Sequence, residues 1–138
     1  MVNEREEQRR RAEPSTEIDR LAHKVIGAAI EVHRLLGPGF LESVYEEALC
    51  VELELCGIPF ARQVPIALNY KGRSIGECRL DLIVSDSLIV ELKAVDGLAP
   101  IHSAQVISYL KATHRVLGLL INFNVPVLKD GVKRVILS

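Results

Sequence analysis

The sequence predicts a mixed α/β domain with the element order ααβββαββ. Apolar residues recur at helical spacing in two stretches before Gly57, and the pattern then changes to the alternating and continuous apolar runs of strands. One more helical stretch separates the third predicted strand from the last two. We therefore expect a mixed sheet with helices packed against it.

Composition limits the class of protein. The chain has 138 residues, 49% of them apolar and 25% charged, with a formal net charge of −1. This length suits one domain, and the apolar fraction excludes a disordered chain. No run approaches the roughly 18 apolar residues that cross a bilayer, and the first 15 residues lack a secretory signal. We expect a cytoplasmic protein without membrane contact, with a charged flexible tail over residues 1–15 and one domain over residues 16–138.

Two helices are predicted first. Apolar residues at helical spacing extend from about Glu17 to Leu36, with Thr16 as the expected N-cap. Gly37-Pro38-Gly39 ends this helix, because glycine suits the position after a helix and proline cannot continue it. A second helix follows from about Leu41 to Cys56 and is closed by Gly57.

Three strands, a helix and two further strands follow. We predict strands over Gln63–Tyr70 and Ser74–Val84, with a tight turn at Lys71-Gly72. A second turn leads to a strand over Leu88–Val95, and a helix runs from Pro100 to about Thr113. The continuous apolar run Val116–Phe123 predicts a strand buried on both faces, and Gly131 turns into a last strand, Val132–Leu137.

One pair of predicted strands carries the residues most suited to chemistry. Side chains alternate along a strand, so Glu91 and Lys93 share a face, and antiparallel pairing about Asp86 places Asp81 close to Glu91. Two adjacent carboxylates repel each other and need a counter-charge, from Lys93 or from a metal. Hard oxygen ligands favour Mg²⁺ or Mn²⁺. The alternative is an ordinary strand that shows a polar face to solvent.

Two helical positions carry further polar groups. Glu42 and Tyr45 lie three residues apart on the second helix, and Gln105 and Tyr109 lie four apart on the third, so each pair shares a helix face. His102 adds another polar group three residues before Gln105. The alternatives are a glutamate favoured by the helix dipole with Tyr45 in the core, and an ordinary solvent-facing helix surface.

In this order, the residues Glu42, Asp81, Glu91-x-Lys93 and Gln105-xxx-Tyr109 resemble the PD-(D/E)xK nuclease superfamily, in its exonuclease-like branch. Gly39-xx-Glu42-xx-Tyr45 is similar to the signature of the bacterial GxxExxY proteins. The resemblance covers about Ile18 to Leu137, although Leu80 stands where the superfamily name has proline. It implies a restriction-endonuclease-like core, a mixed sheet flanked by helices, and metal-dependent cleavage of phosphodiester bonds.

The resemblance also implies roles for particular residues. Asp81 and Glu91 would bind Mg²⁺ or Mn²⁺, together with the carbonyl of Leu92. Lys93 would polarise the attacking water or stabilise the pentavalent phosphorane. Glu42 would be an extra ligand or bind a metal-held water, and Gln105 and Tyr109 would position the phosphate or Lys93.

The leading hypothesis is a nuclease that acts on DNA. The alternative is a catalytically inactive interaction module or subunit that keeps the nuclease fold. A metal-dependent ribonuclease is a further alternative. A homodimer and another protein partner both stay open. A candidate phosphate-binding rim comprises basic residues near the predicted hairpin and near the end of the third helix: Arg62, Lys71, Arg73, Arg79, Lys111, His114 and Arg115.

Overall fold

A computed structural model describes residues 15–137, so almost all of the predicted N-terminal tail lies outside the described residues. The helices are α1 (Thr16–Leu36), α2 (Glu42–Leu55) and α3 (Pro100–Thr113). The strands are β1 (Phe60–Tyr70), β2 (Arg73–Val84), β3 (Leu88–Lys93), β4 (Leu117–Asn122) and β5 (Val132–Ile136), and a short 3₁₀ helix, Leu128–Gly131, precedes β5. This order confirms the predicted fold class; the sequence analysis had no 3₁₀ helix.

The five strands form one sheet in the order β1-β2-β3-β4-β5. β3 and β4 are parallel, and the other neighbouring pairs are antiparallel. All six residues of β4 are buried, as predicted for a strand covered on both faces. α1 and α2 pack on one face of the sheet, and α3 packs on the other. The arrangement is a restriction-endonuclease-like α/β fold.

Several element ends differ from the prediction. Ser15, not Thr16, is the N-cap of α1, and its Oγ accepts a hydrogen bond of 3.2 Å from the backbone N–H of Ile18. This uses a side chain to satisfy one of the free N–H groups at the helix start. β3 ends at Lys93 instead of Val95, because the side chain of Asn122 binds the backbone N–H and C=O of Val95. No neighbouring strand takes these groups, so the ladder stops there.

The β1–β2 hairpin extends beyond the rest of the sheet. β1 pairs with β2 from Phe60 to Tyr70, but only Leu82–Val84 of β2 pair with β3. Residues 69–77 are exposed. We call residues 64–79 the arm. The predicted turn at its tip is confirmed, with φ of 48° at Lys71 and 77° at Gly72, as a type I′ turn requires.

Candidate active site

Asp81 and Glu91 lie together where β2 and β3 separate. Regular pairing of the two strands ends at Leu82 and Val90. At the next position a carboxylate oxygen of Glu91 accepts a hydrogen bond of 2.9 Å from the backbone N–H of Asp81. A carboxylate oxygen of Asp81 in turn accepts one of 2.8 Å from the backbone N–H of Leu92. Side chains thus replace the missing backbone contacts.

Glu91 is buried, with an exposed fraction of 4%. This excludes the alternative of a strand that shows Glu91 to solvent. Burial raises the pKa of Glu91 to about 8, and the neighbouring Asp81 carboxylate adds to the increase. Burial also raises the pKa of Asp81 above its ordinary value, although the hydrogen bond from the Leu92 backbone lowers it. The pair therefore carries an unfavourable negative charge that a nearby cation would relieve.

Glu42 and Lys93 complete the charged surroundings of this pair. Glu42 is the first residue of α2 and is exposed to solvent. Loss of hydration raises the pKa of its carboxyl, the charge of Asp81 raises it further, and Lys93 opposes both. Lys93 also opposes the increase in pKa of Asp81 and Glu91. Its ammonium therefore lies within electrostatic reach of all three acidic side chains.

Tyr45 is a core residue that fixes the start of α2. Its ring is fully buried and stacks on Phe123 with 4.5 Å between centroids. Its hydroxyl donates a hydrogen bond of 2.5 Å to the carbonyl of Gly37 and accepts one of 3.2 Å from the backbone N–H of Phe40. The tyrosine of the Gly39-xx-Glu42-xx-Tyr45 motif thus holds the loop from which Glu42 projects.

Of the polar residues on α3, Tyr109 lies near the carboxylate pair. Burial raises its pKa, and the charges of Glu91, Cys78 and Asp81 raise it further. A side-chain hydrogen bond with Gln105 lowers the pKa but does not reverse the increase. The hydroxyl therefore stays protonated and can donate a hydrogen bond. Gln105 is exposed. His102 has a structural role, because its Nδ1 accepts a hydrogen bond of 2.9 Å from the backbone N–H of Ala99 at the start of α3.

Sequence analysis missed Glu46 and Gln63. Glu46 lies one turn after Glu42 on α2, and the amide of Gln63 donates a hydrogen bond of 2.7 Å to its carboxylate. The same amide lies 3.5 Å from an Asp81 carboxylate oxygen. Gln63 has φ of 48°, a conformation that costs a non-glycine residue energy. The spacing of Glu46 from Glu42 was a usable signal, whereas nothing in the sequence marked Gln63.

The hairpin rotates at this point. Leu80 packs with the apolar cluster around α3, but Leu82, two residues later, packs with the cluster under α1 and α2. In a regular strand they would share a face. Asp81 lies between them, opposite the positive-φ Gln63. The local twist places the Asp81 carboxylate between the α2 and α3 sides of the site.

Asn122, which sequence analysis also passed over, fixes the chain directly after Lys93. It is buried, and its Oδ1 accepts hydrogen bonds of 3.0 Å from Val95 and 3.2 Å from Asn124. Its Nδ2 donates one of 2.9 Å to the Val95 carbonyl. The Lys93 carbonyl accepts a further bond from Phe123. Lys93 is therefore held on a well-anchored backbone.

The basic residues of the predicted rim divide into two groups. Arg62 is neutralised, because it forms ion pairs of 2.8 Å with Glu46 and 2.7 Å with Glu47. Arg115 pairs with Asp86 beside the turn that precedes β3, at the end of the sheet away from Lys93. Lys111 and His114, at the end of α3, lie at that distant end too. Of the predicted rim, Arg62 is thus paired with carboxylates, and Lys111, His114 and Arg115 lie away from the site, which leaves Lys71, Arg73 and Arg79 of the arm.

The donor set suits a hard cation, although it is not arranged as a complete cage. Within residues 15–137, no group of three or more His, Cys, Asp or Glu side chains is placed to hold a metal ion. The two carboxylates are adjacent, however, because each accepts a hydrogen bond from the backbone of the other's strand. Carboxylate and carbonyl oxygens are the ligands that Mg²⁺ and Mn²⁺ prefer. Asp81 and Glu91 thus fit one side of such a site.

Comparison with known proteins identifies the family. The family model of the PD-(D/E)XK nuclease superfamily matches residues 19–135. The chain therefore belongs to the PD-(D/E)XK nuclease superfamily, whose members are usually metal-dependent nucleases. A search of curated proteins finds no significant match.

A solved structure supports the fold. The chain is similar to the protein described as "Crystal structure of SSO0001", with a TM-score of 0.52 and 20% sequence identity. The similarity covers 70% of this chain and 50% of that one, so the present chain spans half of its length. Across residues 15–137, no helix has both the length and the apolarity for a membrane crossing.

Proposed function

We propose that the protein is a divalent-metal-dependent nuclease that hydrolyses phosphodiester bonds in DNA. The observation that carries this proposal is the pair formed by half-buried Asp81 and buried Glu91 beside Lys93. The hydrogen bonds to the backbone N–H groups of Asp81 and Leu92 need only oxygen acceptors, which neutral amides would also supply. They therefore do not account for two acidic side chains in a partly dry site. In a nuclease, the repulsion between them favours binding of the metal cofactor.

The proposed roles follow from the position of each group. Asp81, Glu91 and the carbonyl of Leu92 hold Mg²⁺ or Mn²⁺, and Glu42 binds it further or orients a water. When bound, such a cation lowers the pKa of its water and stabilises charge on the phosphate. Lys93 donates hydrogen bonds toward the phosphate oxygens as negative charge builds there. Tyr109, protonated at neutral pH, and Gln105 position the phosphate or the Lys93 ammonium.

We further propose that the chain is a GxxExxY protein within the superfamily. The supporting observation is that Tyr45 binds the backbone of Gly37 and Phe40. The motif residues then form one structural unit, in which the tyrosine holds the loop and the glutamate faces the carboxylate pair.

DNA is the preferred substrate because of the shape of the surface beside the site. The two-stranded arm is exposed and extends from Asp81. The major groove of B-form DNA is about 12 Å wide and admits a two-stranded ribbon, whereas the major groove of an RNA helix is deep and narrow.

The test is metal-dependent cleavage by purified protein. Duplex, single-stranded and circular DNA and RNA are each incubated with Mg²⁺, Mn²⁺ or EDTA. We expect DNA cleavage with metal and at least a hundredfold loss in Glu91→Gln and Lys93→Ala. Glu54→Gln, on the exposed side of α2, is the matched control and should keep wild-type activity. Cleavage that survives in both site variants would identify a contaminant, and cleavage of RNA alone would overturn the choice of substrate.

A non-catalytic interaction module is the second candidate. It is favoured by exposed apolar side chains on α1 and α2, among them Leu35 at 67%, Val51 at 55% and Leu55 at 77% exposure. Apolar groups concentrated on one surface are typical of protein-binding sites, including those of homodimers. The absence of cleavage together with the absence of Mn²⁺ binding would favour this candidate.

A further inference from the structure

The arm extends from the end of the sheet that carries the carboxylate pair. β2 runs from the arm tip at Arg73 to Asp81 and pairs with β3 only from Leu82 onward. The eight residue steps from Arg73 to Asp81 (81 − 73), at about 3.3 Å each, give a reach of about 26 Å. A polymer bound at Asp81 would therefore pass along the arm.

The two faces of the arm differ. Val64, Ile66 and Leu80 belong to the apolar cluster around α3, so this face anchors the base of the arm to the domain. Lys71 and Arg73 at the tip are exposed, and so is Arg79, which pairs with Pro65 at the base. None of the three forms an ion pair within residues 15–137, whereas Arg34, Arg62, Arg115 and Arg134 each bind a carboxylate. These three cations are available to an external anion.

The arm and the neighbouring site carry opposite charge. The arm has three basic residues and one acidic residue, Glu77. The neighbouring site gathers acidic groups, because Glu42 and Asp81 are near each other and Glu46 raises the pKa of both. An acidic site repels a polyanion except where a metal ion sits, so cations beside the site are needed to hold the rest of the chain.

The tip of the arm has a defined turn and a twisted ladder. Its type I′ turn matches the right-handed twist of the strands. The Lys71 ammonium lies 5.5 Å from the centre of the Tyr70 ring, a cation–π distance. An irregularity in the ladder at Leu68 and Asn69 leaves Ile75 without a partner, which increases the twist.

We propose that the arm, residues 64–79, lies in the major groove of duplex DNA on one side of the cleaved bond and binds the flanking sugar–phosphate backbone through Lys71, Arg73 and Arg79. This inference rests on the proposed nuclease function, which supplies the substrate. Base pairs rise by 3.4 Å, so an arm of about 26 Å spans about eight base pairs. The contacts are to phosphates and carry no sequence preference.

The test measures binding without cleavage. Fluorescence anisotropy in EDTA follows a labelled duplex of 20 base pairs with wild type, the triple variant Lys71→Ala/Arg73→Ala/Arg79→Ala, and a control. The control removes three exposed lysines outside the arm, Lys24→Ala/Lys111→Ala/Lys133→Ala. Circular dichroism and light scattering check the fold and the mass of each protein.

We expect the arm variant to bind at least tenfold more weakly at 0.1 M salt, while the control stays within threefold of wild type. The plot of log affinity against log salt concentration should become shallower by about 2–3 in the arm variant. Each lost phosphate contact reduces the steepness of this plot by about 0.9. Affinity of the wild type should rise with duplex length and level off once about eight base pairs extend along the arm.

Three results would overturn the inference: equal weakening in arm and control variants, tighter binding of single strands than of duplex, or a change in mass of the arm variant. The last would make the arm a contact between copies of the chain. The two proposals can fail separately. Binding that depends on the arm, without any metal-dependent cleavage, would contradict the nuclease proposal alone. Metal-dependent cleavage, with DNA binding that does not depend on the arm, would contradict the arm proposal alone.

Discussion

Asp81 and Glu91 each complete the backbone hydrogen bonding of the other's strand. The carboxylate of Glu91 accepts from the N–H of Asp81 at 2.9 Å, and the carboxylate of Asp81 accepts from the N–H of Leu92 at 2.8 Å. The acidic groups are therefore part of the sheet as well as candidates for metal binding. Substitutions that remove an oxygen acceptor leave a backbone N–H unpaired, so amide replacements are the informative variants.

Glu91→Gln should abolish activity and stabilise the metal-free protein at alkaline pH. The pKa of Glu91 is about 8 in the folded protein against 4.5 for the ordinary group. The folded state thus holds a proton that the unfolded state releases, and the free energy of unfolding falls as pH rises from 4.5 towards 8. Glutamine avoids this loss and keeps an oxygen for the Asp81 N–H. We expect a gain of about 1–2 kcal/mol at pH 8 and none at pH 4.5, measured by urea denaturation in EDTA. Lower stability of the variant at pH 8 would contradict the assignment.

Mn²⁺ should raise the melting temperature of the wild type more at pH 8 than at pH 6. Metal binds the ionised carboxylates, and at lower pH protons compete for Glu91, whose pKa is about 8. At a concentration a hundredfold above Kd, binding adds about 2.7 kcal/mol of stability. Differential scanning calorimetry should show the increase in wild type and in Glu54→Gln, but neither in Asp81→Asn nor in Glu91→Gln. An equal increase in all four proteins would show that Mn²⁺ binds elsewhere.

Tyr45→Phe should destabilise the protein by about 1–2 kcal/mol, because the carbonyl of Gly37 and the N–H of Phe40 lose a hydrogen-bonding partner. The stacking on Phe123 needs only the ring and should persist. Urea denaturation gives the change, and Tyr70→Phe, at an exposed tyrosine in the arm, is the control with no expected effect. Cleavage should also slow, since the loop that positions Glu42 loosens. A change in activity without a change in stability would argue against this anchoring role.

Gln63→Gly and Gln63→Ala separate backbone strain from side-chain contact. Both remove the amide that binds Glu46 and Asp81, but only glycine adopts φ of 48° without a steric cost. We expect the glycine variant to be the more stable of the two by about 0.5–1 kcal/mol, after allowance for the greater flexibility of unfolded glycine. The comparison uses melting curves of both variants. An alanine variant as stable as the glycine variant would show that position 63 carries no strain.

Much of the fold was predictable because its signals are local. The helical spacing of apolar residues, Gly37, Gly57 and the Lys71-Gly72 turn each act within a few residues. The apolar run ending at Phe123 predicted the buried β4 for the same reason. Ser15 was missed as the N-cap because Thr16 is a comparable capping residue one position later.

The site was less predictable because it depends on packing between distant elements. Alternation placed Glu91 and Lys93 on one face, but it could not show that α3 and β4 would bury Glu91. The position of Gln63 opposite Asp81 depends on the irregularity near Ile75, whose one local sign is Gly76, with φ of 137° inside β2. Arg62 was predicted to bind phosphate, but the hairpin brings its guanidinium to the carboxylates of Glu46 and Glu47. Such ion pairs span 15 and 16 residues, beyond the range of spacing arguments.

The unpaired Ile75 also affects how this hairpin can evolve. With a regular ladder from Tyr70 and Arg73 onward, Asp81 would face Arg62 instead of Gln63. Deletion of Ile75 would leave Gln63 opposite Asp81, because the residues on either side of it already pair in that register. A regular ladder that keeps Ile75 would instead exchange a neutral amide for a guanidinium beside the candidate metal ligand, without altering any residue of the site. Substitutions that remove this irregularity are thus a route to a catalytically silent relative whose motif residues are all intact.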